Sequence, residues 1–430
     1  MNGHLENLNF DKPQHPCQHL AQINQKALFF GVFHRDRQVK VSVNCLNGDH
    51  SRLDAPDGRY TATETQSRRK FLNDNERLRA PRGDISAQWM TKQFTAEIET
   101  IMKVSAIDIG YGNTKFTIKR DGQKIECRHF PSVAPVNSGV DIGGDALSRK
   151  NVAQVSVGGV EYIVGPDAML SIRGGTGRVL SADYPERDGY LALVRGALSY
   201  MKQPTIDLLV TGLPVNFYRQ YKERLTERLI GVHEFPNGNE VVINKAWVIP
   251  QPVGGFLNYA MDNQVYSSLR ESNCLVIDIG FYTVDWLVCR GLKVIDERSG
   301  SVPGGMSKLL ESLALNLSNE LGEPFEDINR LDIALNNRNQ LDWYGKRFDF
   351  SHLIPKVAPI INSACESMAS NVGTFSDIAK VIVVGGGAKH YLSSIRKICH
   401  QNSIAEVDES IYANVRGFMI AGEQKSRSNG

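Results

Sequence analysis

Short runs of apolar residues, separated by turns rich in Gly and Asp, fill the chain from Met102 onward. Runs of this kind, bounded by turn residues, predict buried β-strands. Two of them, residues 274–277 and 286–289, enclose a polar turn and therefore predict a β-hairpin. Residues 104–118 repeat the same order of strand, Asp-Ile-Gly, polar turn and strand. The pattern predicts two related domains, each presenting one hairpin turn to a shared cleft.

Apolar residues recur with a period near 3.6 in several longer segments, and this spacing predicts amphipathic helices. The predicted helices are residues 188–201, 218–229, 307–321, 354–372 and 411–421, the last followed by a polar tail at 423–430. Further strands are predicted at residues 125–130, 158–165, 205–212, 241–243, 246–249 and 379–384. We expect the apolar stripes of the helices to form cores rather than to contact a cofactor.

Residues 1–101 differ from the rest because they are polar, rich in Asn, Gln, His and Arg, and without a periodic helix. A segment of this composition buries little apolar surface, so we expect disorder or marginal order. The locally basic stretch 66–83 leaves a DNA- or membrane-contacting tail as the functional alternative. The preferred interpretation is an accessory or misassigned extension before a domain that starts at Met102.

Composition indicates a compartment rather than an activity. The chain has 430 residues, enough for two or three domains, and its 41% hydrophobic and 22% charged content is typical of globular proteins. A net charge of +2 gives no reason to expect a nucleic-acid surface. The sequence has no run of eighteen apolar residues, no signal peptide and, among seven Cys, no C-x-x-C pair. We therefore expect a cytoplasmic protein with free thiols and no membrane contact.

Four turn-containing stretches follow one another in a definite order: residues 108–115, 251–256, 278–285 and 383–388. The first and third contain Asp-Ile-Gly, the second contains Gln-Pro-Val-Gly-Gly, and the fourth is a triple Gly after a buried strand. Glycine and free backbone N–H groups let a turn approach an anion closely. The G-x-x-x-x-G-K-[ST] motif is absent from the sequence, which excludes the P-loop class.

This order resembles the phosphate-1, connect-1, phosphate-2 and adenosine motifs of the actin-like ATPase superfamily, and the resemblance spans residues 102–422. Residues 211–215, 302–306 and 412–418 resemble the ParM/StbA group of plasmid-segregation actins in particular. The resemblance implies an α/β fold of two ribonuclease H-like domains with an interdomain nucleotide cleft. The expected divisions are domain I at 102–252, domain II at 253–400, and a C-terminal segment at 401–430 that returns to domain I and ends in the polar tail.

The resemblance also implies ATP, with GTP as the alternative, and Mg²⁺. Asp108 and Asp278 would hold the hydrated metal, and a charge at the end of an apolar strand does require a partner. Gln251 would orient the attacking water and complete the catalytic set; as an amide it is no strong base, so we expect slow hydrolysis. The predicted nucleotide contacts are Gly110, Gly112, Asn113, Thr114, Lys115, Gly280, Thr283, Asp285, Gly304, Gly305, Gly385, Gly386 and Gly387.

Each of these assignments has a structural alternative. The two aspartates could cap turns, Lys115 could be a strand-edge surface lysine, and Asp285 could be a surface residue at the end of a strand. Glutamine at position 251 is shared with actin, whereas ParM-type relatives often carry Glu, so the resemblance holds for the position more than for the residue.

Three functional classes share this nucleotide site. The resemblance to segregation actins favours a filament-forming ATPase, whose partners would be further copies of itself and an adaptor on centromere-like plasmid DNA. DNA contact would then be indirect. A small-molecule kinase that phosphorylates a sugar or an acid is the alternative. A chaperone is disfavoured, because no peptide-binding domain is expected in the few residues after 422.

Overall fold

The computed structural model describes residues 29–35, 38–44, 102–139, 150–172 and 177–428. Tertiary contacts divide the chain into two units, Met1–Glu99 and Thr100–Gly430.

The described part of the first unit is an antiparallel hairpin of β1 (Phe29–Arg35) and β2 (Gln38–Asn44). In β2, Val39, Val41 and Val43 alternate with polar residues, the period of two that is typical of a strand. This hairpin was not predicted, because the polar composition of the whole segment outweighed this short alternation. The other residues of the predicted extension lie outside the described part of the chain.

Two mixed five-stranded sheets form the frame of the second unit. Its strands are β3 (Val104–Ile109), β4 (Asn113–Asp121), β5 (Lys124–Pro131), β6 (Ala153–Val157), β7 (Val160–Val164), β8 (Thr205–Ile206), β9 (Leu208–Leu213), β10 (Gly231–Glu234), β11 (Glu240–Ile243), β12 (Ala246–Pro250), β13 (Asn273–Ile279), β14 (Thr283–Arg290), β15 (Lys293–Pro303), β16 (Gln340–Trp343), β17 (Lys346–Asp349), β18 (Ile378–Val384) and β19 (Ile404–Glu406). The smaller sheets are β10-β11-β8 and the hairpins β6-β7 and β16-β17.

The two large sheets have the same strand order. The first runs β5-β4-β3-β9-β12 and the second runs β15-β14-β13-β18-β19. In each, three strands form an antiparallel meander, a fourth strand pairs in parallel with the first of them, and a fifth pairs in parallel with the fourth. The duplication predicted from two short Asp-Ile-Gly matches is therefore a duplication of whole sheets, and the predicted two-domain α/β fold is confirmed.

Helices connect the parallel strands. They are α1 (Asp188–Met201), α2 (Val215–Leu229), α3 (Gln251–Asp262), α4 (Tyr266–Leu269), α5 (Met306–Leu321), α6 (Ile328–Asn336), α7 (Ile354–Val372), α8 (Ala388–Ile398) and α9 (Ala413–Ser428). Helices α1 and α7 have the predicted bounds. Helix α9 continues through most of the predicted polar tail, because Glu423 pairs with Arg120 at 2.6 Å and Lys425 lies 4.0 Å from the ring centroid of Trp247. No helix in the described ranges is long and apolar enough to cross a membrane.

One of the hydrophobic cores lies between the two sheets and is filled by α3 and α9. Val104 and Ala106 from the first sheet and Val276 from the second pack in one cluster with Phe256 of α3 and Phe418 of α9. The two helices touch through glycines: a Cβ on Gly417 would lie 1.9 Å from the carbonyl oxygen of Gly254. Only glycine at both positions permits so close a crossing, and this crossing lies three residues from the start of α3 and four from the start of α9.

Candidate functional site

A cavity of about 150 Å³ opens between the turns of the hairpins β3–β4 and β13–β14. Among the predicted site residues, its lining contains Asp108, Gly110, Gly112, Asn113, Lys115, Gln251, Asp278, Gly280, Thr283, Asp285, Gly385, Gly386 and Gly387. These residues are far apart along the chain, and the duplicated sheets bring them to one place. The structure thus assembles thirteen of the sixteen predicted residues around a single cavity.

The first hairpin buries a carboxylate between two donors. Asp108 is only 1% exposed, and in the strand register it lies directly opposite Lys115. The Lys115 ammonium donates to Asp108 Oδ2 at 3.0 Å, and the Gln251 amide Nε2 donates to Asp108 Oδ1 at 2.8 Å. Gln251 reaches this carboxylate because it is the first residue of α3 and follows strand β12. Both carboxylate oxygens are therefore engaged, one of them by a cation.

The second hairpin places two carboxylates where the first has an ion pair. Asp278 lies opposite Asp285 in the register of β13 and β14, and both are buried. Burial, and then the charge of Asp285, raise the pKa of Asp278 to about 7 although Asn414 Nδ2 donates to its Oδ2 at 2.6 Å. Burial likewise raises the pKa of Asp285 to about 6, against the opposing effect of hydrogen bonds to its carboxylate. This side of the cavity carries negative charge that lacks a matching cation among its described lining residues.

Asp285 also connects the two sheets. Thr283 Oγ1 donates to Asp285 Oδ2 at 2.6 Å, and the backbone N–H of Val215 donates to Asp285 Oδ1 at 2.9 Å. Val215 is the first residue of α2, the helix that follows strand β9 of the first sheet. The Asp285 carboxylate, which belongs to the half of the second unit built on the second sheet, therefore lies at the positive end of a helix from the half built on the first sheet. Nearby, Asn216 Nδ2 donates to the carbonyl of Ser301 at 2.8 Å. A charge change at this carboxylate would therefore act on both halves.

The triple glycine permits a backbone approach that side chains would block. Gly385 has φ +92°, and a Cβ there would lie 2.4 Å from Asp278 Oδ1 and from the carbonyl oxygen of Ile279. A Cβ on Gly387 would lie 2.5 Å from the Ile279 side chain. The turn after β18 therefore packs directly against the end of β13, beside the Asp278 carboxylate.

Three predicted residues lie outside the cavity lining. The hydroxyl of Thr114 is buried 2.9 Å from that of Ser132, because successive residues of β4 face opposite sides and Lys115 takes the cavity side. Gly305 packs against the second hairpin, where a Cβ would lie 2.6 Å from the carbonyl oxygen of Gly280. The Gly304 carbonyl accepts a hydrogen bond from the Tyr391 hydroxyl. These residues support the site from behind instead of facing it.

Several lining residues were not predicted. They are Tyr111, Phe281, Met306, Asp332, Asn336, Ile411 and Asn414. Asp332 and Asn336 lie one helical turn apart on α6 and are hydrogen-bonded to each other at 3.1 Å, a spacing that the sequence does display. Asn414 belongs to the stretch 412–418 that carried the resemblance, but nothing in its neighbours marks the side chain as part of a site.

The tips of the two hairpins meet at one side of the cavity. A Cβ on Gly112 would lie 2.7 Å from Cβ of Phe281. The Arg178 guanidinium lies 4.5 Å from the Phe281 ring centroid, its Nε donates to the Gly112 carbonyl at 3.2 Å, and its Nη1 donates to Asn329 Oδ1 of α6. Arg178 therefore contacts both hairpin tips and a helix of the second half.

Comparison with known proteins agrees with this architecture. Residues 106–254 match the family model for the N-terminal domain of actin-like proteins, and residues 276–396 match the model for the C-terminal domain of the archaeal MreB-like actin homologue. No curated protein sequence matches the chain.

Solved structures share the fold at low sequence identity. Ta0583, an archaeal actin homologue in complex with ADP, is 20% identical and superposes with a TM-score of 0.58 over 75% of this chain and 100% of its own. A 15-stranded ParM filament from Clostridium botulinum gives 18% identity, a TM-score of 0.57 and coverage of 75% and 99%. An AlfA filament bound to AMPPNP gives 16%, 0.51 and coverage of 76% and 99%. The two family matches span more than half of the chain, and with the duplicated sheet order they show that it belongs to the actin-like ATPase superfamily.

Proposed function

We propose that the chain binds ATP with Mg²⁺ in this cavity, hydrolyses it slowly, and assembles with further copies into cytoplasmic filaments that segregate plasmid DNA. The observation that carries the proposal is the meeting of two buried aspartates, Asp108 and Asp278, from equivalent hairpins at one cavity. The relatives that hold ADP or AMPPNP support a nucleotide as the ligand. The ParM and AlfA filaments support self-assembly.

The donor set fits a divalent cation. Asp278 and Asp285 are acceptors of like charge, and burial makes their repulsion expensive unless a cation or a proton joins them. Mg²⁺ prefers a few carboxylate oxygens together with water, which Asp108 and Asp278 would supply. When bound, the metal would neutralise phosphate charge.

Lys115 and the glycine turns would hold the phosphates. The Lys115 ammonium now pairs with Asp108, and it would turn to a phosphate oxygen once the metal compensates that carboxylate. Gly112 and Gly385 keep side chains away from the phosphate path, which lets backbone groups approach closely. In this arrangement GTP would use the same phosphate contacts, so the choice of base depends on other lining residues.

Gln251 would orient the attacking water. Its Nε2 donates to Asp108, which leaves the carbonyl Oε1 as the atom that accepts a hydrogen bond from water. An amide aligns water without removing its proton, so hydrolysis would be limited by positioning and would remain slow. Asp285 would transmit the change in charge to the other half, through its bond to the start of α2.

Sedimentation and electron microscopy with ATP, with ADP and without nucleotide test the proposal directly. We expect filaments with ATP, phosphate release, and loss of both in Asp278→Ala, while the exposed Asp342→Ala serves as the matched control. Unchanged phosphate release in Asp278→Ala would refute the site. Phosphorylation of a sugar or an acid without filaments would instead establish the kinase alternative.

The role in segregation adds an adaptor protein that connects the filament end to plasmid DNA. The near-neutral net charge of +2 supports an indirect contact, because non-specific DNA binding depends on clustered basic residues. Tight, salt-dependent binding of plasmid DNA by the purified protein alone would contradict this part of the proposal.

A further inference from the structure

Asn414 joins the cavity to the helix that ends the described chain. It is the second residue of α9, is 6% exposed, and lines the cavity. Its Nδ2 donates to Asp278 Oδ2 at 2.6 Å. Its Oδ1 is buried and accepts no hydrogen bond from the residues that the structure describes. The NH2 end of this amide is thus engaged, and the carbonyl end lacks a donor among the described residues.

Asn414 has a counterpart in the other half. Gln251 begins α3 and donates its amide N–H to Asp108, as Asn414 near the start of α9 donates to Asp278. The two helices cross in backbone contact at Gly254 and Gly417, three residues beyond each amide. Each aspartate therefore receives one amide from a helix whose position is fixed by the same crossing.

None of the charged lining residues in the described chain supplies the missing donor. When ionised, Asp278 and Asp285 only accept hydrogen bonds, and the Lys115 ammonium donates to Asp108. Buried polar atoms without partners are rare in folded proteins, so an unpaired acceptor in a cavity lining indicates a donor that the site receives from outside. Water bound to a divalent cation is such a donor, and it would lie beside the carboxylate that Asn414 already orients.

We propose that Asn414 is a positioning residue for the divalent cation: Nδ2 fixes the Asp278 carboxylate, and Oδ1 accepts a hydrogen bond from a water on the metal. The inference rests on the proposed Mg²⁺–nucleotide site. Partners of this kind, outside the direct ligands, typically change metal affinity by about 10- to 100-fold. Asn414 should therefore affect the metal-dependent part of nucleotide binding and leave the metal-independent part nearly unchanged.

The test measures binding of a non-hydrolysable ATP analogue to the full chain by calorimetry, first in EDTA and then across a Mg²⁺ titration. Asn414→Leu keeps the branched shape of the side chain and removes both polar atoms. Asn258→Leu is the matched control. Asn258 is another buried amide, and neither of its polar atoms has a hydrogen-bond partner among the described residues, but it lies on α3 and outside the cavity lining. Asn414→Ser, which restores a small donor and acceptor, serves if the leucine variant does not fold.

We expect Asn414→Leu to raise the Mg²⁺ concentration for half-saturation by about 10-fold or more, with little change in EDTA. Asn258→Leu should match the wild type, and Asn414→Ser should lie between them. An equal loss with and without Mg²⁺, or no loss at all, would overturn the role of Asn414 while Mg²⁺-dependent binding by the wild type upheld the site. If the wild type did not bind the analogue with Mg²⁺, the site and this inference would fall together.

Discussion

The contact between Gly254 and Gly417 makes a sharp prediction for Gly417→Ala. A Cβ at position 417 would lie 1.9 Å from the carbonyl oxygen of Gly254 and 2.5 Å from its Cα. Real Cβ atoms do not approach within 3.0 Å, so the helices would have to separate by about 1.1 Å. The obstructing atoms are backbone, and no side-chain rotation relieves the contact.

The expected cost follows from two opposing effects. Overpacking in a close-packed core costs about 1 to 3 kcal/mol, and a backbone obstruction belongs at the upper end of that range. Alanine returns up to about 1 kcal/mol through its higher helix propensity. We therefore expect Gly417→Ala to lower the free energy of unfolding by about 2 kcal/mol. A displacement of this size would also lengthen the 2.8 Å bond between Gln251 and Asp108 beyond hydrogen-bonding distance.

Chemical denaturation of the wild type and two variants tests this reasoning. Gly189→Ala is the matched control, because Gly189 is also helical and its added Cβ meets only the Ala134 methyl, at 3.9 Å. We expect the control to be as stable as the wild type or slightly more stable, and Gly417→Ala to be less stable and to bind nucleotide more weakly. Equal stabilities for the two alanine variants would refute the close crossing of the helices.

Two further predictions concern other parts of the second unit. Replacing Arg178 by Met removes its contacts with both hairpin tips. A cation–π contact and a carbonyl hydrogen bond of about 1 kcal/mol each sum to about 2 kcal/mol, so we expect nucleotide to dissociate up to about 30-fold faster in stopped-flow fluorescence. An unchanged rate would contradict this role of Arg178. His390→Gln should change the pH dependence of stability, because burial lowers the pKa of His390 from 6.5 to about 4. The unfolded chain then takes up a proton first as the pH falls, so the wild type should lose about 1 to 2 kcal/mol between pH 6.5 and 4 that the Gln variant keeps. Denaturation curves of the wild type and the Gln variant at pH 7.5 and pH 5 measure this loss. An equal change in stability for both proteins would contradict the prediction.

The parts of the site that the sequence predicted are those that depend on local pattern. Each hairpin is encoded by two apolar runs around a polar turn, so Asp108 and Asp278 could be placed at strand ends without knowledge of the fold. The same pattern also determines the face of the strand on which Thr114 lies. Its hydroxyl was expected to contact phosphate, but it lies against Ser132 and outside the cavity lining. Counting back from the turn pairs Thr114 with the buried Ile109, on the face opposite Lys115.

The parts that the sequence did not predict depend on packing between distant segments. Asp285 reaches the backbone of Val215, 70 positions away, only because the two sheets face each other. Arg178 and Asn329 are 151 positions apart and meet only once α6 packs near the first hairpin. No periodicity or turn motif records such contacts, since they are set by how completed elements dock.

One pair of equivalent positions gives the two hairpins opposite charges at the cavity. In each hairpin, the residue seven positions after the Asp of Asp-Ile-Gly lies opposite that Asp in the strand register. This residue is Lys115, opposite Asp108, in the first hairpin, and Asp285, opposite Asp278, in the second. The first hairpin therefore carries its own cation, which in the proposed site would exchange a carboxylate for a phosphate. The second hairpin concentrates negative charge and would, in the same proposal, receive a cation from solution. From this asymmetry we expect loss of Lys115 to weaken phosphate binding at any metal concentration, whereas loss of Asp278 should abolish the metal dependence itself.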